Sequence, residues 1–372
     1  MQNPPKKHNR TENRIRFTVK KTLKVAFLYI GTLIGAGFSS GREIALFFRD
    51  LAPYNAALSA IVMSLFALLF LTAGRLDLIP KGKIVSFAIF VSGAISLTSM
   101  LAGGEYVLKE MTGVPLLCLI FALLGAIVVS LGIEKIKIAN LILVPLIALS
   151  IIIIFFKIPH SQGSAPFSIL MPIAYGGLDV LLGGIVVSDE GKNMTFKQTI
   201  ASASIVCIFL FFMLYMLQTI VLNDTNDSLM PVFAVSKNLR LQAISGVLIA
   251  SAIFTTLVSS LKITSDKLID FCVSRRRLRF LSTQENKPIV IMFSLVAFYP
   301  LSFFGFGKIV DTLYPITSGM GILLALIVLV RLVIYLAKNR RHKKGSAKPR
   351  SRKAQNNAVN PRRRCHPPLS ED

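Results

Sequence analysis

Gly31 to Gly41 reads GTLIGAGFSSG, four glycines in eleven residues inside an apolar run from Val25 to Phe48 that is long enough to cross a bilayer. Each glycine in a helix interior costs about 1 kcal/mol relative to alanine, so this composition is poor for a continuous membrane helix. Inside hydrocarbon every freed N–H and C=O needs a partner, and unwound backbone survives only beside a cavity or packed protein. A glycine-interrupted first span therefore points to a binding site at mid-membrane depth. Close contact between two helices across Gly31 and Gly35 is the competing reading, because small residues also let backbones touch.

The remainder of the chain favours the site. Its 372 residues are 53% hydrophobic, with a mean hydropathy of +0.65, which fits an integral membrane protein and not a soluble one. The hydropathy pattern predicts an all-α protein of about ten transmembrane helices, at 23–48, 54–73, 84–107, 114–132, 138–157, 168–189, 196–222, 241–270, 288–306 and 310–337. A basic arm at 1–22 precedes this domain of 23–337, and a basic tail at 338–372 follows it. The arm leads straight into a full-length span, without the pattern of a cleavable signal peptide.

Lysine and arginine alternate from loop to loop. The arm, the second, fourth, sixth and eighth loops and the tail are basic, whereas the long segment Asn223–Arg240 carries Asp224 and Asp227 and no base before Lys237. The positive-inside rule then places both termini in the cytoplasm of a cell membrane. The net charge is +24, and the basic tail lacks aromatic residues to stack on bases. Anionic lipid is its expected partner, and nucleic acid is not expected. Composition also predicts that the tail is disordered. Oligomeric state is not legible.

Ten spans divide into five plus five, and the sixth echoes the first: Ala174–Gly184 reads AYGGLDVLLGG, again four glycines in eleven residues. A repeat of five spans inverts the second half, so that broken helices 1 and 6 face each other across the bilayer midplane. Backbone N–H groups of Gly35, Ala36 and Gly37 are the expected anion end, and the carbonyls of Gly31 and Ile34 the expected cation end. On the eighth span Ala252, Thr255, Thr256 and Ser259 share one helical face. Two hydroxyls and three carbonyls could hold Na+, although such hydroxyls also bond back to their own helix.

Ionisable residues within spans are costly, and each is a functional candidate. Asp179 stands in the sixth-span break, able to pair with a substrate ammonium, relay a proton or sit neutral. Arg42 and Glu43 follow the first break as a candidate gate or internal pair. Glu105 closes the third span and reads as a surface residue. Ser92, Ser96 and Ser99 form a stripe on that span, fit for a polar pocket or a helix contact. Lys262, Asp266 and Asp270 can pair among themselves. Tyr314-Pro315 marks a kink in the tenth span. Cys118, Cys207, Cys272 and Cys365 have no CxxC spacing, so neither a metal site nor a disulfide framework is expected. No Walker A run, HExxH or GxSxG is present, and the four histidines lie outside the spans, which argues against an enzyme.

The opening KVAFLYIGTLIGAGFSSGREI resembles the first span of YkvI-type bacterial membrane proteins, and the similarity runs from about Lys20 to Lys338. That resemblance implies membership of the amino acid–polyamine–cation superfamily and its LeuT-type five-plus-five fold. It also implies a sodium site from the carbonyls of Gly31, Ile34 and Ala252 with the hydroxyls of Thr255 and Thr256. A substrate pocket would lie between Thr32–Ser39 and Tyr175–Leu182, including Thr32, Gly35, Ala36, Gly37, Ser39, Tyr175, Gly176 and Asp179, with Ser96 on the third span. This chain departs from the pattern at Arg42, where Gln is usual, and at Asp179, where Asn is usual. Its fifth span lacks the mid-membrane Lys of some proton-coupled relatives, which favours Na+.

Two functions follow as expectations. One is a cation-coupled secondary transporter of a small amino-acid-like or amine solute, needing no cofactor beyond its coupling ion. The other is a nutrient receptor that keeps the fold without transporting, as spore-germinant receptor subunits do.

Overall fold

The computed structural model describes residues 7–131, 134–159, 167–273 and 286–346. Residues 1–6 of the arm, the 274–285 loop and the tail from 347, with Cys365, lie outside the described residues. By compactness the chain divides into Met1–Leu329 and Val330–Asp372, and the packing and cavities below concern the first of these.

Secondary structure among the described residues is helical throughout. The first apolar run is broken into three pieces, α1 (Lys7–Leu33), α2 (Ala36–Ser40) and α3 (Arg42–Phe48). Then come α4 (Pro53–Arg75), α5 (Lys83–Thr112), α6 (Leu117–Leu131) and α7 (Glu134–Lys157). The sixth run is also broken, into α8 (Leu170–Leu178), a π-helical turn (Val180–Gly184) and α9 (Ile185–Gly191), with a 52° bend. After it follow α10 (Phe196–Leu222), α11 (Pro231–Asn238), α12 (Gln242–Val273), α13 (Lys287–Phe298), a 3-10 turn (Pro300–Phe304) and α14 (Phe306–Ser346).

Among the described residues five of these helices, and α13 taken with the 3-10 turn after it, are long and apolar enough to span a membrane, which makes seven spans when the bent α8–α9 run counts as one. Leu117–Leu131 and Ile142–Lys157 are apolar but shorter. The charged N-terminal turns of α1 and its early termination at Leu33 keep the first run from qualifying by itself. Helix α14 continues to Ser346, beyond Lys338, and passes through Pro315 without ending. The segment between α10 and α12, expected to be loop, holds α11. Pro231 sits at the start of that helix, where a missing N–H costs nothing, and Val232, Phe233 and Val235 bury its inner face.

Local chemistry explains the termini. Thr195 and Gln198 form a capping box at the start of α10, with the Gln198 N–H donating to Thr195 Oγ1 at 3.3 Å. Pro53 begins α4. Glycine allows α4 and α9 to touch backbone to backbone: a methyl group at Gly74 would overlap the Ser188 carbonyl, and one at Gly191 the Leu71 carbonyl. Helix α12 packs along α5, while α4 packs along α10 and both halves of the α8–α9 run. The first broken run also packs against α10 and α12, and the π turn of the second packs against α5.

Candidate functional site

At the first break the helix stops because Gly35 turns extended, with φ −97° and ψ −166°. A second interruption follows at Gly41, whose φ of +78° is left-handed and suits glycine. At the other break the backbone stays right-handed at Asp179 and widens into the π turn. The breaks meet directly: a methyl at Gly183 would lie 2.9 Å from Thr32 Oγ1. Across the first break, a methyl at Gly35 would lie 3.3 Å from Thr256 Oγ1 on α12.

Between them is a cavity of about 70 Å³. Of the residues expected from sequence, it is lined by Thr32, Gly35, Ala36, Gly37, Ser96 and Asp179, and by Thr256 from the expected ion set. Ser92 of the third-span stripe lines it too, as do residues that sequence left without a pocket role, among them Glu43, Ile95, Met100, Tyr314 and Thr317.

The carboxylates dominate its chemistry. Glu43 is only 8% exposed, and its Oε2 accepts a 3.4 Å hydrogen bond from the Tyr175 hydroxyl. Its carboxyl group rests on Gly37, where any side chain would overlap it. Oδ2 of Asp179 is buried and has no hydrogen-bond partner among the described residues. No lysine, arginine or histidine lines the cavity. The neutral polar groups are largely tied back: Tyr314 donates to Ser99 Oγ at 3.0 Å, and Ser96 and Ser260 share a 2.7 Å bond.

The remaining expected residues lie elsewhere. Ser39 donates to the Ala36 carbonyl at 3.2 Å, and Gly176 faces Val62 on α4. Tyr175 stands behind the cavity, packed against Phe47 and Phe48 at ring separations of 5.6 Å, and reaches the site through Glu43. Gly31 faces Val144 on α7. Thr255 donates to the carbonyl of Ala252 at 3.1 Å and borders an apolar groove with Phe121, Leu124 and Ile142. The two adjacent threonines thus face different spaces, as the roughly 100° turn per residue of a helix requires. Ile34 and Ala252 are buried and line neither space.

Arg42 and Glu43 do not pair with each other. Arg42 Nη2 donates to Asp311 on α14, at 2.6 Å to Oδ1 and 2.5 Å to Oδ2. Asp311, absent from the sequence-based candidates, lies one turn before Tyr314, so the ion pair joins α3 to α14 beside the cavity. Glu105 is not a free surface residue: its carboxylate accepts the N–H groups of Leu116 at 2.7 Å and Cys118 at 3.4 Å, where α6 begins. Lys262 pairs with Asp266 at 2.7 Å, but Asp270 pairs with Lys267 at 3.0 Å.

Toward the opposite end of α4 from Arg49 lies a second cavity, of about 350 Å³, bordered by Ile89, Ile185 and Ser188 and by the pairs Asp77–Lys81 and Asp189–Lys192. The Lys81 ammonium, by hydrogen bond and charge, holds the Asp77 carboxyl below its ordinary range. Ile89 and Ile185 are one helical turn from Ser92 and Leu182 of the first cavity, so a single turn of α5 and one of the α9 run separate the two spaces.

This is an all-helical membrane protein built around two broken helices, and solved structures share that fold. The chain is similar to Mhp1, a nucleobase-cation-symport-1 family transporter, in a closed conformation with bromovinylhydantoin bound, at a TM-score of 0.56 and 12% identity over 81% of this chain and 77% of Mhp1. For the inward facing conformation of Mhp1 the TM-score is 0.55, covering 82% and 74%. By sequence it is 24% identical over 334 residues to the uncharacterized membrane protein YkvI of Bacillus subtilis (strain 168), covering 79% of this chain and 91% of the relative. It is 25% identical over 351 residues to the uncharacterized protein YyaD of the same organism, covering 84% and 96%. No protein-family model matches the chain. The resemblance read from the first span therefore extends over most of the molecule.

Proposed function

We propose that this protein is a cation-coupled secondary transporter that moves a small amino-acid-like or amine solute across a bacterial cell membrane by alternating access. The observation that carries the reading is the cavity at the meeting of the two breaks, lined by Glu43 and Asp179. Discontinuous helices at such a place are how transporters expose backbone to a solute. The Arg42–Asp311 pair acts as a gate on one side of the cavity, bridging a helix that belongs to the first break and one that does not. The ten spans, arranged as an inverted five-plus-five repeat with both termini cytoplasmic, and a place in the amino acid–polyamine–cation superfamily belong to this proposal.

Na+ is the proposed coupling ion. Support comes from the sequence of the fifth span and from Thr256, whose hydroxyl stands against Gly35. Gly31, Ile34, Ala252 and Thr255 would contribute only after rearrangement, since none of them lines the cavity with Thr256 here.

Thermal stabilisation of the purified protein by an amino-acid and amine panel, in Na+ and in K+, tests the reading. A ligand that binds only the native state at ~100 Kd adds roughly 2.7 kcal/mol. A solute whose effect strengthens in Na+ and which accumulates in vesicles supports it. Binding without accumulation would turn the reading to the receptor. Replacing Thr256 by Ala is expected to remove Na+ dependence, and Thr255→Ala to leave most of it. The reverse order would move the ion site away from Gly35.

A further inference from the structure

The first break was expected to receive the carboxylate of an amino-acid solute, at the N–H groups of Gly35, Ala36 and Gly37. The protein's own carboxylate already stands beside them, against the Cα of Gly37. Glu43 lies on Gly37 so closely that a methyl group at that glycine would overlap its carboxyl atoms. From the other break Asp179 lines the same cavity, with Oδ2 buried and unpartnered among the described residues. A zwitterion entering here would bring a third carboxylate into a small space that already holds two and has no basic side chain in its wall. Such like-charge crowding is strongly unfavourable where water is scarce.

We infer that the solute is a compact organic cation, a primary amine without a carboxylate, whose ammonium sits between Glu43 and Asp179. This inference rests on the transporter reading and names the substrate class of its site. An ammonium has three N–H donors and no acceptor. The two carboxylates and one neutral oxygen in the wall, such as Thr32 or Thr317, match that number. Leu33, Ile95, Met100 and Leu178 provide an apolar lining for a short alkyl group. The cavity volume of about 70 Å³ equals roughly five to seven waters at ~10–15 Å³ each, which sets the scale of the cation.

A metal ion fits less well. Among the described residues there is no group of three His, Cys, Asp or Glu. Borderline transition metals prefer nitrogen and sulfur ligands, and the wall presents oxygen with one thioether, Met100; a hard divalent ion such as Mn2+ accepts oxygen and is separated from an amine by the test below. The charge count also links solute to coupling ion. Two buried carboxylates take two positive charges, the amine supplies one, and the coupling cation or a proton supplies the other.

The test uses matched pairs in which only the carboxylate differs: glycine against methylamine, and alanine against ethylamine. Melting temperature of the full-length purified protein is measured with each, in Na+ buffer, alongside MnCl2 alone. The amines are expected to stabilise saturably, and the amino acids not to do so at equal concentration. Glu43→Gln and Asp179→Asn should each weaken amine affinity by roughly tenfold or more, the loss typical of a hydrogen bond to a charged group. Because the wild-type comparison needs no variant, a folding defect in either substitution leaves the test intact. Equal or stronger stabilisation by the amino acids overturns the inference and leaves the transporter reading standing. Stabilisation by Mn2+ without any amine response overturns it in favour of a metal. If no solute or ion shifts the melting temperature, the inference and the transporter reading fall together.

Discussion

The two broken runs share a glycine density and differ in what the glycines do. At the first, Gly41 is needed for conformation because its backbone is left-handed, and the helix is interrupted twice within seven residues, at extended Gly35 and again at Gly41. At the second, no glycine leaves the right-handed region, and the bend of 52° arises from one widened turn after Asp179. There glycine is needed for proximity. Gly183 lets Thr32 approach, and a methyl at Gly177 would lie 2.8 Å from the Ser318 carbonyl of α14. One break is a change of backbone direction, and the other is a close fit between helices that carries an acid at its bend.

Substitution can break that comparison. The largest effect is expected from Gly37→Ala, which forces Glu43 off its seat. Overpacking of this kind costs about 1–3 kcal/mol of stability. Amine-induced stabilisation should be lost with it, and a retained response would show that the Glu43 carboxylate need not lie on the first break. Next, Gly41→Ala should cost about 1–2 kcal/mol from its left-handed backbone. By contrast, Gly184→Ala should be nearly neutral, because its helical geometry gains about 1 kcal/mol of propensity against contact with the Phe70 ring at 3.2 Å. Equal losses in denaturant melts of the two variants would erase the distinction between the breaks. A small effect on stability is likewise expected at the proposed gate. Asp311→Asn should change stability by about 0–1 kcal/mol, as for other partly exposed pairs, while raising the rate of solute release measured by tracer efflux. An unchanged rate would remove Arg42–Asp311 from gating.

Much of this site was legible because glycine clusters and buried charge are local signals. Thr32, Gly35–Gly37, Ser96, Asp179 and Thr256 came from the two breaks and from the spans that pack on them. What escaped was direction. Arg42 and Glu43 are adjacent and of opposite sign, so a linear reading pairs them. Helical rotation sends the first to Asp311 and the second to Gly37 and Tyr175. Thr255 and Thr256 part for the same reason. Asp311 was missed as a charge near the start of a span, although Asp311, Tyr314 and Thr317 recur every three residues, and that spacing could have placed them on one stripe. Helix α11 was hidden by the polar start of its segment, where Asp224 binds Ser228 through both its N–H and its hydroxyl at 2.8 Å.

The single turn that separates the two cavities has a consequence for how the molecule answers its surroundings. On the Arg42 side the barrier contains an ion pair, which dissolved salt screens over a Debye length of about 10 Å at 0.1 M. On the other side the barrier is Ile89, Leu182 and Ile185, and apolar contacts of that kind respond to heat far more than to electrolyte. In the proposed transport cycle the two mouths of the site would thus be tuned by different variables, the first by ionic strength and the second by temperature.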